Sequence, residues 1–253
     1  MSERIAPGPF EPSEPADVPA AAGTFTVGEA LSFAWQKYTG NALLWILFVL
    51  LLVVANLVFN SGSLSTDNVA EVQQSMRSPG EAGFPALVRA VLTFAGTGLG
   101  LVLGLIGVVA SGILQGMGTA AALDEAGGAK PTFAGLFRPR NLGMIVVAAL
   151  LLVVAQAVGA ALCGIGLLVV AVFAVFTYQG VIDKDQNAWA AFTASFRLVG
   201  RNLGPVLLLE LALLGINVLG ALLCGLGLLI TIPVTLIALA FAYRRLAGGP
   251  VVA

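Results

Sequence analysis

One long apolar segment occurs twice in this chain. The stretch "RNLGMIVVAALLLVVAQAVGAALCGIGLL" (Arg140 to Leu168) aligns without a gap with "RNLGPVLLLELALLGINVLGALLCGLGLL" (Arg201 to Leu229), 61 residues further on, and eight of the 12 positions from Gly159 to Val170 are identical. Each copy is longer than the ~20 residues that cross a bilayer, and each has glycines in its middle. We therefore expect an internal repeat, residues 140–170 and 201–231, in which each copy is a helical hairpin that turns at "CGIG" or "CGLG".

The composition requires a membrane environment. Hydrophobic residues make up 58% of the chain and charged residues 10%, whereas about 25% of a soluble domain is charged. This small number of polar groups could not cover the surface of a soluble protein. The lipid bilayer is therefore the expected surrounding. The net charge of −1 offers no basic surface for a phosphate backbone, and we expect no nucleic acid partner.

The uncharged stretches predict an all-α, polytopic membrane domain over residues 25–248, with six transmembrane helices arranged as three hairpins. The predicted spans are Ala42–Phe59, Thr93–Gly118, Leu142–Leu162, Gly166–Ile182, Leu203–Leu223 and Leu226–Tyr243. Residues 1–24 form a tail rich in proline and acid, expected to be disordered and cytoplasmic, which is either simply solvated or docked as an extended ligand. Residues 249–253 form a short C-terminal tail.

Amphipathic stretches precede the hairpins and predict helices that lie in the membrane interface. The first, "TVGEALSFAWQKYTGN", begins with Thr26 and Glu29 at the spacing of a capping box. It places three large side chains on one face at helical intervals, namely Leu31, Trp35 and Tyr38. The second, "NAWAAFTASFRLVGRN", does the same with Trp189, Phe192, Phe196 and Val199. A third and fainter copy of the repeat is expected at the front, because Asn41 precedes Asn56 as Asn141 precedes Gln156 and Asn202 precedes Asn217.

Glycines four residues apart mark the second predicted span. Gly96, Gly100 and Gly104 form one series, and Gly112 with Gly116 forms another. In a membrane such small residues let two helices approach closely, which is the expected role; glycines that line a pore are the alternative.

Lysine and arginine predict the orientation. With six spans, Arg77 and Arg89 lie on one side, and the other side carries Arg4, Lys37, Lys130, Arg138, Arg140, Lys184, Arg197, Arg201, Arg244 and Arg245. Because positive charge collects on the cytoplasmic side, we expect both termini in the cytoplasm.

The residues that usually carry chemistry are scarce. The chain has no histidine and two cysteines, Cys163 and Cys224. We therefore expect no metal site, no cofactor and no enzymatic activity. The cysteines fall on matched hairpin tips, where they either pack as small side chains or form a disulfide.

The candidate functional residues are polar groups inside predicted spans. Glu210 lies in "VLLLELALLG", and Asn217, seven residues on, shares its helix face. Gln156 is the counterpart of Asn217 in the first copy, and Asn56 falls at the matched depth in the first span. Together they could form a polar track for a proton, a small cation or a lipid headgroup. The alternative is that Glu210 is protonated and bonds a neighbouring helix as part of the packing.

The order of these elements resembles a known group of proteins. "FTVGEALSFAWQKYTGN", "AFTASFRLVGRN" and "GALLCGLGLLITIPVTLIALAFAYRRL" are similar to bacterial six-helix integral membrane proteins related to the membrane domain of glycerophosphoryl diester phosphodiesterases. The resemblance implies a six-helix fold in a bacterial plasma membrane. It implies no reaction, because the soluble barrel with catalytic histidine and metal-binding carboxylates has no counterpart in this sequence.

Two hypotheses on function follow. The first is a non-enzymatic membrane protein that organises or regulates a protein partner, forms a homo-oligomer or handles lipid. The alternative is a small transporter or channel subunit that uses the polar track around Glu210.

Overall fold

The computed structural model describes residues 23–60, 98–136, 141–161, 165–223 and 225–252. Every regular element within these ranges is an α-helix, which confirms the all-α class. In chain order the helices are α1 (Val27–Gly40), α2 (Ala42–Asn60), α3 (Gly98–Ala126), α4 (Phe133–Leu136), α5 (Leu142–Ala161), α6 (Ile165–Phe173), α7 (Thr177–Asp183), α8 (Ala188–Arg201), α9 (Leu203–Leu222) and α10 (Leu228–Ala247).

Four helical stretches are long and apolar enough to cross a membrane, which makes the chain a membrane protein. They are Leu142–Ala161, Gly166–Asp183, Leu203–Leu222 and Leu228–Ala247. A fifth is counted if the pair Val27–Gly40 and Ala42–Ala55, which meet at a bend of 95°, is taken as one span. The first three stretches begin at the predicted residue and end within one residue of the predicted spans, whereas the fourth begins two residues later than predicted and ends four residues past Tyr243.

The largest difference from the predicted bounds is at α3. This helix continues to Ala126, whereas the sequence predicted that the span ends at Gly118. The extension is stable because Glu125, near its end, accepts hydrogen bonds from two residues of the α1–α2 junction. Residues 93–97 of the predicted span lie outside the described part of the chain.

Helix α1 begins as predicted and packs differently from the prediction. Thr26 and Glu29 form the expected capping box. Trp35 is exposed and fits an interfacial position, but Tyr38 is buried. The reason is that α1 packs against α10, with the rings of Phe33 and Phe241 4.8 Å apart, and this contact takes Tyr38 into the core.

Helix α8 carries the predicted aromatic side chains as a ladder. The ring centroids of Trp189 and Phe192 are 5.9 Å apart, and those of Phe192 and Phe196 are 4.7 Å apart. Trp189 is exposed, whereas Val199 is fully buried. The ladder therefore forms the outer face of α8, and Val199 belongs to its inner face.

Glycines in α3 allow a close approach to α5. A Cβ atom added to Gly112 would overlap that of Ala149, and one added to Gly116 would lie 2.7 Å from Ile145. This confirms the packing role for these two glycines. Gly96 lies outside the described residues, and the surroundings of Gly100 and Gly104 are not described.

Two glycine pairs bring successive helices together at matched positions. A Cβ atom added to Gly166 would lie 2.7 Å from the backbone oxygen of Gly159, and one added to Gly227 would lie 2.5 Å from the Cα of Gly220. The first pair joins α5 to α6 and the second joins α9 to the start of α10. The nearby Cys163 and Cys224 lie outside the described residues, so both alternatives for them stay open.

Candidate functional site

A cavity of about 800 Å³ lies among the apolar helices. Side chains from α2, α3, α5, α6, α7, α9 and α10 line it, together with the short break between α6 and α7. Much of its wall is aliphatic or aromatic, with Phe48 and Leu152 as examples. Cavities of roughly 300–1,000 Å³ with an apolar wall and a few polar groups are typical binding sites for small molecules.

Helix α3 contributes one polar stripe to the wall. Ser111, Gln115 and Thr119 are four residues apart and all line the cavity. Residues at this spacing share one face of a helix, so α3 presents a row of hydroxyl and carboxamide groups along the cavity. The sequence predicted a packing role for the glycines of this helix; its polar stripe was not predicted, although the i, i+4, i+8 spacing is visible in the sequence.

Two residues of the predicted polar track meet here. Gln156 of α5 and Asn217 of α9 both line the cavity. The amide nitrogen of Asn217 donates to the hydroxyl of Thr235, at 2.8 Å, and to the carbonyl of Leu213, at 2.8 Å. Asn217 therefore joins α9 to α10, and Gln156 lines the same cavity from the other copy of the predicted repeat.

The other two predicted residues do not join them. Glu210 is absent from the cavity lining, and its Oε1 atom is buried without a hydrogen-bond partner among the described residues. The backbone of Asn56 lies in α2, but its side chain is outside the described part of the structure. The cavity thus contains half of the predicted set.

Gln179 is the least expected member of the wall. It is 4% exposed, and its Oε1 atom is buried without a hydrogen-bond partner among the described residues. A buried polar group without a partner costs about 1–3 kcal/mol. Since Gln179 lines the cavity, a molecule bound there could supply the missing donor.

The break between α6 and α7 is built by a side chain from α8. The hydroxyl of Ser195 donates to the carbonyl of Phe173, at 2.7 Å, and accepts from the backbone N–H of Phe176, at 3.1 Å. Ser195 is buried, and it therefore satisfies two backbone groups that an unbroken helix would have paired. The break carries Ala174 and Val175 into the cavity wall and is followed one turn later by Gln179.

A second buried polar cluster ties α1 and α2 to the end of α3. The Asn41 amide donates to Oε1 of Glu125, at 2.7 Å, and the Trp45 indole N–H donates to Oε2, at 3.0 Å. Burial raises the pKa of Glu125, while the bonds from Asn41 and Trp45 and the charge of Lys37 oppose that shift. Both carboxylate oxygens already have partners, so this cluster is a structural tie rather than an open site.

An ion pair joins the ends of α7 and α10. The Arg244 guanidinium lies 3.3 Å from the carboxylate of Asp183 and donates to the carbonyl of Pro250 at 3.0 Å. The backbone N–H of Val252 donates to the carbonyl of Ala126, at 3.0 Å. These contacts hold the C-terminal segment against the end of α3. Within the described ranges, no group of three or more metal-ligating side chains comes together.

Comparisons with known proteins find relatives that match almost the whole of this chain and three quarters of their own length. The chain is 32% identical over 251 residues to "Uncharacterized protein Rv2560" of Mycobacterium tuberculosis (strain ATCC 25618 / H37Rv), covering 97% of this chain and 75% of that protein. It has the same identity and coverage with "Uncharacterized protein Mb2590" of Mycobacterium bovis. No protein-family model matches the chain, and no solved structure matches it.

Proposed function

The chain belongs to the family of the mycobacterial protein Rv2560, and we propose that it is a non-enzymatic protein of the bacterial plasma membrane that binds a lipid-like molecule in the cavity between its helices. The observation that carries this proposal is the cavity of about 800 Å³ with an apolar wall and separate polar groups. Such a wall suits a molecule with an apolar body and a polar end. Of the functions that the first hypothesis includes, lipid handling is therefore favoured over the organisation of a protein partner.

The cavity lining favours lipid over an ion. Its polar members are uncharged side chains, and no charged side chain occurs among the described lining residues. Cation and proton pathways inside a membrane are commonly marked by ionisable side chains. Glu210, the candidate for that role, lies outside the lining. A transporter of small cations is thus the weaker candidate.

Six spans are part of the proposal, and two contacts support an even number of crossings. The Gly23 N–H donates to the carbonyl of Arg245, at 3.0 Å, so the two ends of the membrane domain share one face. Asn41 at the start of α2 bonds Glu125 at the end of α3. Two crossings by α2 and α3, followed by the four apolar stretches from Leu142 onwards, satisfy both contacts.

The hairpins and the internal repeat also belong to the proposal. Their support is that cavity-lining residues pair at the offset of the sequence alignment. Adding 61 to each of five lining positions reaches another lining position: 156 to 217, 171 to 232, 174 to 235, 175 to 236 and 178 to 239. A cavity enclosed by two copies of one helical unit would produce this pairing.

The front copy of the repeat has support from backbone geometry. Asn41 ends α1 with φ −136° and ψ 31°, and Asn202 ends α8 with φ −132° and ψ 34°. Both helices have 14 residues and lead directly into an apolar helix. We propose that α1–α2 and α8–α9 are copies of the same unit.

Orientation and distant kinship complete the proposal. The charge distribution supports cytoplasmic termini, and the order of interfacial and apolar helices supports a relationship to the membrane domain of glycerophosphoryl diester phosphodiesterases. The lipid bilayer is the proposed surrounding; a protein partner or a homo-oligomer is compatible with it.

Filling the cavity tests the proposal. Ala171 of α6 lines the cavity, so Ala171→Phe should displace a bound molecule. We expect the purified wild-type protein to retain a lipid-like molecule, detected by native mass spectrometry and by extraction, and Ala171→Phe to lose most of it.

The matched control is Val169→Phe on the same helix. Val169 is 43% exposed and does not line the cavity, so this variant should keep the bound molecule. If the wild-type protein carries no lipid-like molecule, or if both variants carry the same amount as wild type, the proposal is wrong.

A further inference from the structure

We propose that the cavity selects a neutral, single-chain amphiphile whose polar end donates a hydrogen bond to the carboxamide of Gln179; this inference rests on the proposed function. The ligand class is thus a lipid with a free hydroxyl or amide N–H and no charge, such as a monoacylglycerol or a long-chain alcohol. Three features of the described residues lead to it, namely charge, hydrogen bonding and size.

The wall specifies a neutral ligand. The polar lining residues are Ser111, Gln115, Thr119, Gln156, Tyr178, Gln179, Asn217 and Thr235. Side chains of these types hold no charge at neutral pH, and a charged group moved from water into an apolar site costs far more than a neutral one unless it is paired. A phosphate or carboxylate head group would find no cation among the described lining residues.

The hydrogen-bonding state of Gln179 specifies a donor. Its Oε1 atom is buried and unpartnered in a residue that is 4% exposed. Other polar groups nearby are already in use: Asn217 and Thr235 bond each other, and Thr235 donates to the carbonyl of Thr231 at 2.8 Å. Of the described lining residues, Gln179 is the one whose acceptor is fully buried without a partner, and a hydroxyl or amide N–H of the ligand satisfies it when the carboxamide turns towards the cavity.

The volume specifies one chain. At about 30 Å³ for each water in the liquid, about 800 Å³ corresponds to roughly 27 water-sized groups. A methylene group is of similar size, so the cavity holds a single chain with its head group. A two-chain lipid would leave one chain outside.

Three photoreactive probes that share one acyl chain test the inference on the full-length protein in nanodiscs. The first is a monoacylglycerol, which is neutral and donates hydrogen bonds. The second is its diacetate, which is neutral and has no donor. The third is the matching lysophosphatidate, which is anionic. We expect the monoacylglycerol to label peptides of the cavity wall at about tenfold lower concentration than either of the others, as one hydrogen bond of ordinary strength predicts.

Gln179→Leu tests the residue directly. It removes the unpartnered acceptor, so thermal stability should be unchanged or higher, while the preference for the monoacylglycerol over its diacetate should disappear. Gln186→Leu is the control, because Gln186 also has a buried, unpartnered Oε1 atom but lies outside the cavity lining. It should keep the full preference.

The outcomes separate this inference from the proposed function. If none of the probes labels the cavity wall above the background that remains with excess unlabelled competitor, both fail. If the diacetate or the lysophosphatidate labels it as well as the monoacylglycerol, or if Gln179→Leu keeps the wild-type preference, the cavity still binds lipid and only the ligand class is wrong.

Discussion

The two aligned segments, residues 141–183 and 202–244, keep the same helix contacts and differ where they face the cavity. Both bring two helices together over a glycine pair, Gly159 with Gly166 and Gly220 with Gly227. In the first segment the second helix is broken after Phe173, whereas in the second segment α10 is continuous from Leu228 to Ala247. Where two backbones touch there is no room for a side chain, so both segments have glycine at these positions. Side chains that face the open cavity are not constrained in this way and differ between the segments.

The difference makes the cavity asymmetric. Tyr178 and Gln179 of the first segment align with Leu239 and Ala240 of the second. Conversely, Ala174 aligns with Thr235, which bonds Asn217. The polar side chains of the two segments therefore lie at different positions along the cavity wall.

The largest predicted effect tests what the segments share. Gly166→Ala and Gly227→Ala each place a Cβ atom within 2.7 Å of backbone atoms of the facing glycine. We expect each to lower the free energy of unfolding by about 3 kcal/mol, the upper end of the usual cost of overpacking. Thermal unfolding in detergent would measure it.

Gly143→Ala and Gly204→Ala are the controls, because they also occupy aligned positions but have open space around them. They should leave stability unchanged. If only one of Gly166→Ala and Gly227→Ala lowered the free energy of unfolding, the two segments would not share this contact.

The next effect tests where the segments differ. Ser195→Ala removes both hydrogen bonds that satisfy the break after Phe173. Two buried backbone groups lose their partner, so we expect a loss of about 2 kcal/mol in unfolding free energy. Thr193→Ala on the same helix should cost little, because the Thr193 hydroxyl bonds only carbonyls of its own helix. Equal stability of the two variants would mean that Ser195 does not hold the break.

The smallest effect concerns Glu210, which aligns with Ala149. Glu210→Gln keeps the shape of the side chain and removes its charge. Hydrogen bonds between membrane helices average about 0.6 kcal/mol, and one Glu210 oxygen has no partner to lose. We expect expression, thermal stability and lipid retention close to wild type. A loss of function with unchanged stability would contradict this and favour the transporter hypothesis.

The sequence predicted those parts of the fold that depend on local composition. Helices α5 and α9 end within one residue of the predicted spans at Leu162 and Leu223, because apolar runs and glycines are visible without knowledge of their partners. Gln156 and Asn217 were found together because the alignment of the two segments places them at the same depth.

The residues that were missed depend on contacts between distant parts of the chain. Ser195 is one of several small residues in α8, and its role arises only because Phe173 and Phe176 lie beside it. From the sequence, Glu125 is expected to be a solvated charge near a turn. In the structure it accepts hydrogen bonds from Asn41 and Trp45. Gln179 had a signal that was overlooked, since a carboxamide inside the predicted span Gly166–Ile182 meets the same criterion that singled out Gln156.

The contact between α1 and α10 has a consequence for biosynthesis. Helix α1 leaves the ribosome long before α10, yet the rings of Phe33 and Phe241 pack together and the Gly23 N–H donates to the carbonyl of Arg245. Phe33 and Tyr38 must therefore wait for the whole domain to be synthesised before they are buried. During that interval the amphipathic α1 can lie at the membrane surface, and we expect this position to keep its aromatic side chains from aggregating before they pack in the finished fold.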